Sequence, residues 1–400
     1  MASPYARALR TLFLCLVCIG IGQSMLFSIL PPAARAIGIS PFQVSTIFAT
    51  SASIWVFVSP WWGRRSDVRG RRPIILYGLL GYALSMFSLA VVIEIGTAKL
   101  LPAMAIYPML IVARSLFALL GSGTGPASQA YVADRTTLTE RTAGVSLVSA
   151  AMAVGETIGP GIGALLAAVD ILAPLYLSAG LAVVSGVMIH RYLPEDAPPV
   201  EHSALRPPRL SVRDGRVVPF ILVSASLQAV RATTAITLAF FLQDTLGLSS
   251  QQAVQYSGVG FVTMAVAGLV AQLVFVQRLQ PTARRMLHAG VPLSVAAFVI
   301  FMVAHSYAAY LVALTLLGIG LGLTRPGSAA GASLSVEANE QGAVAGLVTG
   351  VAVLGNVFGP MLGTSLYALS PIGPYALNAA IMSGSWVLLF ANRRLRNLRA

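Results

Sequence analysis

Three charged residues stand deep inside long apolar runs of this 400-residue chain: Arg114, Glu156 and Arg231. At a rise of about 1.5 Å per helical residue, each lies roughly 18–21 Å from one end of its run. A charge at that depth is costly to keep, so each is a functional candidate by default. A carboxyl such as Glu156 is pushed toward its neutral form by desolvation and toward its charged form by a nearby guanidinium, so it can hold or release a proton as its partner changes. Guanidinium offers fixed, paired donors that suit carboxylates and carbonyls. Glu156 and Arg114, opposite in charge and similar in depth on consecutive segments, are expected to form an ion pair. That pair either neutralises itself to satisfy burial or lets Glu156 exchange between Arg114, a proton and a ligand. Arg231 has no partner in its own segment, so it favours an anionic or carbonyl-rich ligand, snorkels, or pairs elsewhere. Gln23 and Gln228 add amide groups. Trp55, Phe240, Phe241 and Tyr256 are candidates to line an apolar pocket, although aromatic residues in helices more often serve packing.

The elements that must position these groups are membrane helices. Apolar residues make up 56% of the chain and charged residues 10%, and the mean hydropathy is +0.81, outside the range of a soluble domain. Runs of about 20 apolar residues, long enough to span a bilayer core, are predicted at 9–30, 42–62, 73–95, 102–126, 142–168, 172–192, 218–242, 252–277, 286–305, 307–330, 342–368 and 372–392. The first run is too long for the apolar core of a signal peptide and leads straight into a second, so it is read as retained. A polar, proline-rich stretch, residues 193–217, separates a first bundle (1–192) from a second (218–400).

The halves repeat. Gly155-Glu-Thr-Ile-Gly159-Pro160-Gly-Ile-Gly163 returns as Gly355-Asn-Val-Phe-Gly359-Pro360-Met-Leu-Gly363, and Thr124, Pro126 and Ser128 return as Thr324, Pro326 and Ser328. Asn356 therefore takes the place of Glu156. Glycines four residues apart form a smooth strip on one helix face where another helix can pack closely, and a proline within it removes a backbone donor and favours a bend. The strip reads either as a joint between moving bundles or as a tight, static helix pair.

The net charge of +13 reflects topology. Of 26 Lys and Arg residues, Arg35 and Lys99 fall on one side and Arg114 and Arg231 inside spans, while the rest fall toward the termini, the 2–3, 4–5, 8–9 and 10–11 loops and the central linker. The positive-inside rule then makes the termini and linker cytoplasmic, with the basic excess meeting anionic lipid. Nothing reads as a nucleic-acid module. Cys15 and Cys18 form one C-x-x-C without companions, which favours packing. The histidines are scattered, so no metal site is expected. There is no G-x-x-x-x-G-K-[ST] loop to bind ATP, no converging catalytic constellation, and no cofactor is called for.

Between the second and third runs the chain reads Gly63-Arg64-Arg65-Ser66-Asp67-Val68-Arg69-Gly70-Arg71-Arg72-Pro73. Gly63 and Gly70 permit close approach and a tight turn, and Asp67 can accept from neighbouring arginines. This loop closely resembles the G-x-x-x-D-x-x-G-R-R/K signature of the major facilitator superfamily. The Gly155 to Gly163 pattern resembles the motif of its drug:proton antiporter group, and Ala130 to Asp134 with Glu140-Arg141 is similar to the 4–5 loop of tetracycline-type exporters. The resemblance implies an all-α membrane fold of twelve helices in two pseudo-symmetric six-helix bundles, rocking about a site near the bilayer midplane. It implies that Gly63, Asp67, Gly70, Arg71 and Arg72 act as a cytoplasmic latch. The second half lacks a matching acid: Gln272, Val276 and Leu279 align with Gly63, Asp67 and Gly70.

The expected function is secondary transport by alternating access, as a monomer in a bacterial-type inner membrane. The expected cargo is a small amphipathic or anionic organic compound, exported against protons. Span 1 carries no carboxylate, unlike many exporters of the group, and Glu94 and Asp170 lie near span ends, so proton coupling rests on Glu156 alone among deeply embedded acids, or it works differently. An importer or uniporter of an organic anion, such as a metabolite or siderophore, is the alternative within transport; a non-transporting membrane sensor or assembly partner is the alternative outside it.

Overall fold

A computed structural model describes residues 4–136, 138–195, 211–337 and 340–391, and among these all regular structure is helical. The first half holds α1 (Pro4–Ile37), α2 (Pro41–Arg69), α3 (Arg71–Thr97), α4 (Ala103–Gly121), α5 (Thr124–Ala133), α6 (Leu138–Leu166) and α7 (Ala173–Tyr192). The second holds α8 (Val218–Leu246), α9 (Ser250–Val270), a π-helical segment (Ala271–Val276), α10 (Gln277–Leu279), α11 (Ala283–Val303), α12 (Tyr307–Leu334), α13 (Gln341–Tyr367) and α14 (Gly373–Ala391). The fourth span is α4 and α5 in succession, and the eighth is α9, the π segment and α10. Among the described residues, eleven stretches are long and apolar enough to cross a membrane, and α13 takes the remaining place in the order.

Every predicted span coincides with a helix or a helix pair, but several helices outrun the apolar segment. An apolar run stops at the first charge, whereas the backbone stays helical until a residue can turn it. Gly38 (φ 94°) does so after α1 and Gly70 (φ 91°) after α2, a region that glycine enters without steric penalty. Ser40 then starts α2 with a capping box: its hydroxyl accepts from the Gln43 N–H at 3.2 Å, and the Gln43 side chain accepts from the Ser40 N–H at 2.9 Å.

The chain divides into two compact units, residues 1–203 with 250–258, and residues 204–249 with 259–400. The expected boundary between halves is thus crossed once, because the first turns of α9 group with the first unit. Most of the 193–217 stretch lies outside the described residues, as do the side chains of Glu140 and Arg141.

Each unit contains a helix pair joined by a G-x-x-x-G-P-x-x-G strip, and the two pairs are built alike. In the first unit α6 lies on α1. A Cβ on Gly155 would come within 2.7 Å of Ile21 N, one on Gly159 would strike the Ile21 carbonyl, and one on Gly163 would stand 3.1 Å from Met25 Cγ. In the second unit α13 lies on α8, with Gly355 facing Ala229 N at 2.8 Å, Gly359 facing Ala229 Cα at 2.6 Å, and Gly363 facing Thr233. This face of the strip packs helices within a bundle, which is the tight-pair reading; the closeness of backbone to backbone is what demands glycine. α6 and α13 run unbroken through Pro160 and Pro360.

These contacts also fix the alignment of the first helix of each half. Ile21 matches Ala229 and Met25 matches Thr233, so Gln23, between them, matches Arg231.

Candidate functional site

Arg114 is the most deeply buried of the three candidate charges, with 7% of its surface exposed. It lies on α4, and its Nη2 donates to Gln23 Oε1 of α1 at 2.8 Å. Among the described residues its Nε and Nη1 have no partner, and neither has Gln23 Nε2. The guanidinium carbon stands 5.7 Å from the ring centre of Phe48 and 5.6 Å from that of Phe117, and a desolvated cation facing aromatic rings gains from their quadrupoles. Phe27 stacks on Phe48 at 4.9 Å, and Trp55 and Tyr82 meet Phe117 at 5.1 and 4.9 Å. The result is a cation in an aromatic enclosure with unused donors, an arrangement that suits a planar anion or carbonyl.

The expected ion pair between Glu156 and Arg114 is not formed. Arg114 uses Gln23 instead, and Glu156 is exposed, with no hydrogen bond or ion pair among the described residues. The reason is the order of packing. α4 packs on α2 and α3, while α6 packs on α1, so the helices that carry Arg114 and Glu156 are not packed on each other. Gly155 faces α1 and is buried, and Glu156, the next residue and about 100° further round the helix, points away. Pro160 lacks the N–H that a helix would direct at the Glu156 carbonyl. Pro360 does the same at Asn356, so each half presents a polar side chain and a released carbonyl at one residue.

In the second unit Arg231, Gln228 and Asn356 are all half-buried, and none makes a side-chain hydrogen bond or ion pair among the described residues. Phe240 and Phe241 do not line a pocket: at 0% and 1% exposure they belong to the core. Phe241 packs with Phe301, Tyr310 and Tyr375 at 5.7, 5.1 and 4.6 Å. Tyr256 is 37% exposed. Glu94 and Asp170 serve local ends. Glu94 accepts from the Tyr176 hydroxyl at 2.9 Å, and Asp170 accepts from the Leu172 N–H at 2.6 Å.

Four aromatic residues of the Arg114 enclosure, Phe27, Phe48, Tyr82 and Phe117, escaped sequence reasoning. Phe117 follows Arg114 by three residues and Phe27 follows Gln23 by four, spacings that share a helix face; that signal was present. Phe48 carries no local signal, because only the packing of α2 brings it there.

The basic loop is a stitched cluster. Arg71 donates from Nε to Asp134 Oδ2 at 3.0 Å and from Nη1 to Ser66 Oγ at 2.7 Å, and it pairs with Asp67. The side chains of Arg71 and Asp134 are 12% and 8% exposed, so this pair is shielded in a way that surface pairs are not. It ties the 2–3 turn to the end of α5, within the first unit. Arg72 donates to the carbonyl of His190 at the end of α7. Gly70 is needed twice over, for its positive φ and because a Cβ there would strike the Glu195 carboxylate. Gly63 has nothing within 4 Å of where its Cβ would stand.

The second half breaks the expected alignment by one residue. The residue that turns the chain at positive φ is Gln280 (φ 42°), not Leu279, so Gln280 corresponds to Gly70 and Gln277 to Asp67. The π-helical segment Ala271–Val276 absorbs the additional residue. The acid is missing all the same. A different cluster ties the corresponding end of this unit: Arg216 grips Glu340 with two bonds, at 2.9 and 3.0 Å, and Asp214 Oδ2 at 2.8 and 3.0 Å. Arg216 holds the Glu340 carboxyl below the usual glutamate range, with the Glu337 backbone N–H adding to the effect.

Comparison with known proteins gives the family. The family model described as Major Facilitator Superfamily matches residues 12–282. Multidrug resistance protein 1 of Bacillus subtilis is 24% identical over 389 residues, covering 95% of each chain. The class B tetracycline resistance protein of Escherichia coli is 23% identical, covering 80% of this chain and 78% of that one. Among solved structures, the human organic anion transporter MFSD10 covers 97% of this chain and 100% of its own at TM-score 0.66 and 18% identity. A bacterial homologue of the iron transporter ferroportin covers 98% and 99% at TM-score 0.72 and 17% identity. Matched over more than half its length by the family model, this multi-pass membrane protein belongs to the Major Facilitator Superfamily of transporters.

Proposed function

We propose that the protein exports a small amphipathic organic compound bearing an anionic or carbonyl-rich group, in exchange for protons, and that Arg114 anchors that group. The observation that carries this reading is the buried guanidinium of Arg114 with two unpartnered nitrogens among Phe48 and Phe117. A buried donor left without an acceptor costs about 1–3 kcal/mol, and more when charged, so an acceptor group bound against these nitrogens is favoured. Export is supported by the names of the relatives, which are drug-resistance proteins. Glu156 is the proton site: it is a carboxyl within a span, free of a countercharge, on the helix that packs against Gln23's own helix. Gln23 links the two, holding Arg114 from the helix on which α6 lies. The basic side of the chain, with both termini, faces the cytoplasm of a bacterial-type inner membrane.

The test uses the purified full chain in liposomes with an imposed pH step, screening planar aromatic carboxylates, neutral carbonyl compounds and cationic drugs. Flux of an acceptor-bearing compound that follows the pH step is expected, with Arg114→Gln losing flux and Glu156→Gln losing its pH dependence. Undiminished flux in Arg114→Gln overturns the anchor, and undiminished proton coupling in Glu156→Gln overturns the proton site. Binding without flux in the unmodified protein overturns transport itself.

A further inference from the structure

A recess of about 280 Å³ in the first unit is walled by Arg7, Arg72, His190, Arg191, Tyr192 and Pro194, together with Leu193. Three arginines line it from three helices that pack together: Arg7 from α1, Arg72 from the start of α3 and Arg191 from the end of α7. Among the described residues no carboxylate lines it. The nearest acid in sequence, Glu195, turns its carboxylate against Gly70. Among the described residues neither the Arg7 nor the Arg191 side chain has a hydrogen bond or an ion pair, and the Nε of Arg72 is buried without a partner.

Basic residues that only obey membrane topology have no reason to share one recess, where like charges repel. Basic residues in the last turn of a helix complement its dipole, and that accounts for one cation here. Arg72 already caps the end of α7 by donating to the His190 carbonyl, so Arg7 and Arg191 exceed the need. The wall opposite them is held rigidly: the Pro194 carbonyl accepts from the Tyr131 hydroxyl at 3.1 Å and from Arg135 Nη2 at 2.9 Å. A site fixed before its ligand arrives binds with less ordering loss.

We propose that this recess binds a phosphate group, taken by the guanidiniums as paired, charge-assisted donors. The phosphate has two possible sources, an anionic phospholipid headgroup or a free phosphate from solution. The position at helix ends, with Tyr192 at the rim and 43% exposed, matches the interfacial level at which tyrosine and basic residues meet headgroups.

The test compares the full chain with its Arg7→Gln/Arg191→Gln double variant, both in phosphatidylcholine nanodiscs. Thermal unfolding midpoints are read in two arms, one replacing part of the lipid by phosphatidylglycerol and one adding inorganic phosphate against chloride at matched ionic strength. Both residues are exposed, so the variant is expected to share the wild-type midpoint without ligand. A rise in the wild type that falls by at least half in the variant supports the site, and the arm in which it occurs names the source. An equal rise in both proteins, or no rise in either arm, overturns it.

Discussion

The two halves of this chain keep the same frame and place their guanidiniums on different helices of it. In the first half the buried arginine is Arg114 on α4, held by Gln23 on α1. In the second half the position of Gln23 is itself an arginine, Arg231 on α8, and the position of Arg114, counted from the shared Thr124 and Thr324, is Leu314. The frame, meanwhile, is repeated almost atom for atom: Gly155 against Ile21 and Gly355 against Ala229. Residues that let backbones meet were duplicated and kept because any side chain there collides. Residues that carry charge were free to differ, because their neighbours are side chains that can change with them.

The sharpest way to break this comparison is to remove the two arginines separately. Arg114→Gln is expected to give the larger loss, about 1.5–3 kcal/mol for bonds to a charged group, roughly tenfold to a hundredfold in the apparent affinity for a carboxylate substrate. Arg231→Gln, which gives the second half the residue that the first half has, is expected to lose less because Arg231 is only half-buried. Concentration dependence of flux into liposomes measures both. Equal losses would mean that the two positions act as equals despite their different burial.

The shared frame can be tested by a graded series. Gly159→Ala and Gly359→Ala place a methyl against backbone and are expected to destabilise by about 1–3 kcal/mol, read as a lowered unfolding midpoint in detergent. Gly163→Ala meets Met25 Cγ at 3.1 Å and backbone only at 3.8 Å, and is expected to cost less than either. Gly63→Ala meets nothing and is expected to leave the midpoint unchanged, although its motif would rank it with the others. A Gly63→Ala protein as unstable as Gly159→Ala would undo the steric account.

The smallest effects are expected where the halves differ in their charged end clusters. The Arg71–Asp134 pair is shielded and the Arg216–Glu340 pair is open, so Asp134→Asn should lower the midpoint more than Glu340→Gln. Because Glu340 has a lowered pKa in the folded state, its contribution is present above the ordinary glutamate pKa and fades as pH falls through the folded value. The difference between wild type and Glu340→Gln should therefore shrink under acid. A difference that persists unchanged there would assign the effect to packing.

Much of this was legible in the chain. The spans were visible because a bilayer demands about 20 apolar residues in a row, and the glycine strip because its spacing matches a helix face. The ion pair of Glu156 with Arg114 was misjudged because depth along a helix can be counted from sequence, whereas which helices are neighbours cannot. The alignment of Leu279 with Gly70 failed by one residue because a π-helical segment is invisible in composition. Phe48 joined the Arg114 enclosure with no local sign at all.

The sequence by itself determined that this is a duplicated membrane transporter, since hydropathy, repeat and the Asp67 loop are properties of local order along the chain. Only the tertiary structure decided that Arg114 turns to Gln23 and leaves Glu156 without a countercharge, that the glycine strips bind helices within each bundle, and that Arg7, Arg72 and Arg191 share one recess. Those are choices of partner, set by which helix faces meet, and the charge on a side chain fixes only that it needs a partner.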